Sequence, residues 1–208
     1  MVVIVDYRMG NLGSIKNMLQ RIGVEAIISS DVKALEDADK LILSGVGSFD
    51  EGMKNLRALH LIEALETQVL RNRKPILGIC LGLHLLTKGS EEGRLPGLGW
   101  IDADVARFSF NGTGQNLKVP HMGWNQVEIA SDHPLFCDLP LTARFYFAHS
   151  YHVRHVRLLN GRNILGKTFY GYPFVSALVM ENVAAVQFHP EKSHQFGIRF
   201  LKNFVEKF

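Results

Sequence analysis

The sequence predicts an α/β fold: an open, mostly parallel sheet with helices on both faces, extended by antiparallel strands in the C-terminal half. Three observations predict it. Short apolar stretches alternate with segments of helical period through the first half of the chain. Strand-like segments joined by short turns fill the second half. The 208 residues, 47% hydrophobic and of net charge +3, suffice for one domain, 1–208, with a sizeable core.

The elements follow in order. Val2 to Asp6 reads as a buried strand. Asn11 to Ile22 reads as a helix, with Ile15, Met18, Leu19 and Ile22 on one face and Gly23 as its stop. Val24 to Ile28 and Leu41 to Leu43 are the next strands. A loop at Gly45, Val46 and Gly47 leads to helices through Leu70, and Pro75 to Ile79 is the fourth strand. The order β-α-β-α-β-α-β implies a parallel sheet covered on both faces. Beyond it, Gly99–Phe108, Trp124–Ile129, Ala143–Phe147, Ile164–Phe169, Phe174–Met180 and Val183–Phe188 read as strands, with a hairpin turn at Glu181-Asn182. A helix from Gln195 to Phe208 closes the chain, its stripe Phe196, Phe200, Leu201, Phe204 and Phe208 belonging to the core.

Chemistry enters at the fourth strand, which runs into Gly78-Ile79-Cys80-Leu81-Gly82 and then a helical pattern. This is the cysteine form of a nucleophile elbow. Glycines flank the cysteine because side chains there would strike neighbouring strands. A helix N-terminus favours a thiolate, and the N–H of Leu81 faces the position of a developing oxyanion. The same residues also suit a buried structural cysteine between turn glycines. A second motif favours the elbow. The buried strand Val183 to Phe188 ends in His189-Pro190-Glu191, an imidazole base with a carboxylate two residues on. Both stay on one side of the chain if it remains extended, and Pro190 argues against a helix there. In open sheets ligands gather at the carboxyl ends of strands, where Asp6, Gly45–Gly47, Cys80 and His189 all fall.

With Gln187-Phe188-His189-Pro190-Glu191, the elbow resembles the class I glutamine amidotransferases, flavodoxin-like enzymes with a Cys-His-Glu triad. Gly45-Val46-Gly47, Pro120-His121-Met122-Gly123-Trp124-Asn125, Phe147-Ala148-His149-Ser150-Tyr151, Tyr170-Gly171, Pro173-Phe174 and Lys192-Ser193 bring it closest to the glutaminase subunits of imidazole glycerol phosphate synthases. The resemblance spans the whole chain. It implies hydrolysis of glutamine to glutamate and ammonia, by Cys80 as nucleophile, His189 as base and Glu191 as its orienter. It implies oxyanion N–H groups from Leu81 and from Gly45, Val46 and Gly47. It implies glutamine binding by Glu92, by the backbone of His149, Ser150 and Tyr151, and by position 84. The partner implied is a (β/α)8-barrel cyclase in a heterodimer, docked on a face with Asn11, His121, Trp124 and Lys192. On residues alone, Glu92 also suits a solvated charge and Trp124 a core position.

Three positions depart from the family pattern. His84 replaces a Gln, offering a donor that titrates between roughly pH 5.5 and 7.5. Ser44 replaces a Pro before Gly-Val-Gly, and Arg8 a Gly near the partner edge. A paralogue serving a surface-sugar amidotransferase, and a non-catalytic docking subunit, are the alternatives. Scattered basic residues argue against nucleic acid. The two cysteines, Cys80 and Cys137, form no disulfide or zinc pattern, and Cys137 reads as structural. His149, His152 and His155, three apart, point to no metal, and Arg154, His155 and Arg157 read as a solvated face. The apolar start meets Asp6 too soon to span a membrane. The expectation is a cytoplasmic enzyme without cofactors or membrane contact.

Overall fold

The computed structural model describes residues 1–110, 117–130, 132–154, 156 and 163–208. His155 and Arg157, read above as surface, lie outside them. The first half holds β1 (Val2–Val5), α1 (Leu12–Arg21), β2 (Ala26–Ser29), α2 (Val32–Asp37), β3 (Lys40–Gly45), α3 (Phe49–Ala58), α4 (Leu61–Glu66), a π-helical turn at Thr67–Arg71, β4 (Ile76–Cys80) and α5 (Leu81–Leu86). The second half holds β5 (Thr87–Ser90), β6 (Ile101–Arg107), β7 (His121–Gln126), β8 (Glu128–Ile129), β9 (Arg144–His149), β10 (Tyr151–Arg154), β11 (Ile164–Tyr170), β12 (Tyr172–Met180), β13 (Val183–Val186) and α6 (His194–Lys207).

Among the described residues one mixed sheet runs in the order β2-β1-β3-β4-β13-β12-β10-β6-β5. Its half from β2 through β4 to β13 is parallel. β12 pairs antiparallel with β13, β10 and β11, as the short turns of the second half lead one to expect. Alternation along β1 builds two cores. Val2 and Ile4 face α1 and α6, while Val3 and Val5 face the side of α2 to α5. The stripe of α6 packs in the first core: Phe200, Leu201 and Phe204 are fully buried, with Phe196 and Phe208 at its margin. Asn203, buried in the same helix, donates to the carbonyls of Leu135 and Cys137 and ties the 3-10 turn Pro134–Phe136 to it.

Several readings are corrected. The single strand read over Trp124–Ile129 is two: β7 pairs with β9 as a separate ribbon, and β8 joins β11. β5 and β10 escape the sequence pattern, because Thr-Lys-Gly-Ser has no apolar alternation and β10 follows β9 after one bend at Ser150. Gly45 closes β3 opposite Cys80 instead of opening a loop. Pro190–Lys192 is a 3-10 turn and not extended chain; proline tolerates the first helical position because its missing N–H needs no partner there. Cys137, read as structural, is half-buried. Among the described residues no helix is long and apolar enough to cross a membrane, and no group of three His, Cys, Asp or Glu could hold a metal ion.

Candidate active site

Cys80 is the last residue of β4 and the cap of α5, with φ 53° and ψ −105°. That conformation is costly for a residue with a Cβ and is held by its surroundings. Gly82 explains the tightness of the turn: a Cβ there would lie 1.8 Å from the Leu43 carbonyl of β3. A Cβ at Gly78 would come within 2.6 Å of Leu86. The helix that follows is short, six residues, because the chain passes directly into β5.

His189 leaves β13 on the neighbouring strand and bonds through its backbone N–H to the Tyr146 carbonyl of β9. The 3-10 turn after Pro190 brings Glu191 back beneath it, 2.7 Å from Nδ1. Nε2 is buried, meets no hydrogen-bond partner of good geometry among the described residues, and lies on the side of Cys80. Burial opposes a charge on this ring, but a thiolate at Cys80 and the carboxylate of Glu191 outweigh it and carry the pKa up to about 10. Gln187, two residues earlier and fully buried, was missed as a site residue by sequence reasoning. Its Nε2 reaches Cys80 Sγ at 3.8 Å, and its Oε1 accepts from His84 Nε2 at 2.8 Å. A polar residue in the strand Val183–Phe188 was the available signal.

A cavity of about 270 Å³ opens over Cys80, lined also by Val46, Gly47, Leu81, His84, Glu92 and Ala148–Tyr151. A larger cavity of about 700 Å³ lies between β6, β10, β11 and β12, but holds neither Cys80 nor His189. The smaller one holds the nucleophile, so the chemistry belongs there. Glu92 is half-buried, its carboxylate fixed by the N–H of Phe49 at 3.0 Å; burial raises its pKa. His84 is buried, and burial lowers its pKa to about 4, so the expected titration near neutrality is absent. His149 turns inward and bonds to the Tyr151 carbonyl at 2.7 Å.

The residues expected at a partner face separate into two groups. Asn11 and Lys192 are exposed, and Trp124 is 38% exposed while stacked on His194. His121 is not at the surface. It is 3% exposed, between Phe147 and Tyr170, because the pleat of β7 sends alternate side chains inward. Met122, its neighbour, is 64% exposed. Arg8 is exposed at φ 64°, and Ser44 is buried in β3.

Residues 3–208 match the family described as glutamine amidotransferase class-I. The chain is 49% identical over 207 residues to a Methanococcus maripaludis protein named imidazole glycerol phosphate synthase subunit HisH 2, covering 100% of both chains. It is 47% identical over 206 residues to a Pseudomonas aeruginosa protein of the same name, covering 99% of each. A solved structure described as a glutamine amidotransferase is similar with a TM-score of 0.73 at 23% identity, over 99% of this chain and 98% of that one, a likeness of fold. Since the match leaves out only the first two residues and the relatives align end to end, the chain belongs to the class I glutamine amidotransferases.

Proposed function

We propose that this chain is the glutaminase subunit of an imidazole glycerol phosphate synthase, a single cytoplasmic domain that releases ammonia from glutamine for a (β/α)8-barrel cyclase. One observation carries the chemistry: a buried imidazole with Nδ1 tied to a carboxylate and its other side turned to an elbow cysteine that raises its pKa. The thiolate of Cys80 attacks the side-chain amide carbon of glutamine. The oxyanion faces the N–H of Leu81 and, after a local rearrangement, N–H groups of the Gly45–Gly47 segment. His189 protonates the departing ammonia, then draws a proton from the water that hydrolyses the thioester. Glu191 holds the Nδ1–H tautomer. Glu92 takes the α-ammonium group, and His149, Ser150 and Tyr151 present backbone to the substrate. His84 acts through Gln187 and lines the cavity as a neutral ring.

The pathway rests on the two relatives named as synthase subunits, aligned over their full length. The cyclase docks where Asn11, Trp124 and Lys192 are exposed, in a heterodimer that passes ammonia onward. The departures at His84, Ser44 and Arg8, with the segment 95–100, are the ground for a second reading, a surface-sugar amidotransferase as acceptor. Glutamine turnover by the chain alone, with its cyclase, and with the cyclase carrying its acceptor ligand tests the first. Low, intermediate and high rates are expected. Equal rates, or stimulation by a sugar amidotransferase and not by the cyclase, reject it.

A further inference from the structure

A line of hydrogen bonds runs from β7 to the wall of the small cavity. Asn125 Nδ2 lies 3.3 Å from His121 Nε2, His121 Nδ1 lies 3.0 Å from His149 Nε2, and His149 Nδ1 lies 2.7 Å from the Tyr151 carbonyl. The chemistry of the ends fixes every proton between them. A carbonyl only accepts, so His149 Nδ1 carries the proton and donates. The neutral ring then has an acceptor at Nε2, so the His121 Nδ1 that faces it donates. His121 Nε2 is left an acceptor, and the amide of Asn125 supplies its donor. Burial keeps both rings uncharged at neutral pH, which this assignment requires.

The far end of this line is the substrate site. The bond from His149 to the Tyr151 carbonyl closes the bend at Ser150 and sets the peptide planes of 149–151, which line the cavity beside Cys80. We infer that His121 is a positioning residue for glutamine: its Nδ1–H fixes the tautomer and tilt of His149, which in turn holds the Ser150–Tyr151 backbone toward the substrate. The inference rests on the glutaminase reading of the cavity. The competing role is packing alone, since the His121 ring stacks on Phe147 at 4.8 Å and on Tyr170 at 4.0 Å.

Two substitutions separate the roles. His121→Phe keeps the stack and removes the donor; His121→Asn keeps an N–H at the Nδ1 position and loses the stack. With the partner bound, His121→Phe is expected to raise KM for glutamine about tenfold, as for a buried acceptor left unpaired, with little change in kcat. His121→Asn is expected to recover most of that affinity while melting at a lower temperature. A wild-type KM in His121→Phe with a raised KM in His121→Asn overturns the inference in favour of packing. A nitrogen-15 NMR measurement on the wild-type chain needs neither folding of a variant nor activity. It should find the His149 proton on Nδ1, and a proton on Nε2 instead overturns the relay even where glutamine turnover is intact. Absence of ammonia release by the wild-type complex rejects the glutaminase reading, and the NMR result then decides the relay by itself.

Discussion

Cys80 carries a positive φ because the turn from β4 into α5 has no room for a gentler path, and that strain aims its sulfur into the cavity. Its partner, His189, depends on Glu191 for its tautomer, so Glu191→Gln should lower kcat by about a hundredfold or more and leave KM nearly unchanged. Steady-state kinetics with the partner bound checks this. His84 behaves differently from an exposed imidazole. Burial keeps it neutral through the range where it was expected to titrate, so KM profiles of wild type and His84→Gln should run parallel between about pH 5.5 and 7.5. A bend present only in the wild type would contradict that account. At this scale the elbow at Cys80 was legible from its flanking glycines, and the contact of His189 with Glu191 from their closeness in sequence, though not the turn that makes it. Gln187 and the inward turn of His121 were not. A strand motif does not say which face is buried until its partner strand is known, and β7 pairs with β9 outside the main sheet.

At the scale of elements, the parallel half was legible because its strands are continuous apolar runs, as strands covered on both faces must be. The second half was harder. β5 lacks an apolar pattern, and β7 and β8 run almost together with only Val127 between them. Glu191 also reached its place by another route than the one expected, through a 3-10 turn that proline starts. The elbow is sensitive to volume. Gly82→Ala would push a methyl group against the Leu43 carbonyl, which as backbone cannot give way cheaply. It should cost about 1–3 kcal/mol and depress activity with it. Thermal unfolding and turnover of the same protein measure both. A variant that melts with the wild type would show that β3 and α5 are less tightly apposed than the structure has them.

Across the whole molecule, the adjacent parallel strands β3, β4 and β13 deliver their carboxyl ends to one edge, which is why Val46, Cys80 and His189 meet from distant parts of the chain. Burial there also writes a pH dependence into stability. His84, His121, His149 and His152 have lowered pKa values, so the unfolded chain takes up protons first as pH falls. Stability should decline from about pH 6.5 toward pH 4, and His84→Gln should shallow that slope. His189 acts in the opposite sense: its raised pKa adds stability that is full below about pH 6.5 and is lost as pH rises toward 10. Denaturant titrations across pH measure both limbs, and Cys80→Ala should flatten the alkaline one. The central claim is that Cys80 is a nucleophile activated by His189 toward glutamine. Its most direct test is to treat the chain, bound to its partner, with a glutamine-like electrophile and locate the adduct by mass spectrometry, with half-buried Cys137 as internal control. The account predicts one adduct, on Cys80, suppressed by glutamine and by His189→Ala. Equal labelling of Cys137, or labelling of Cys80 indifferent to both, would contradict it.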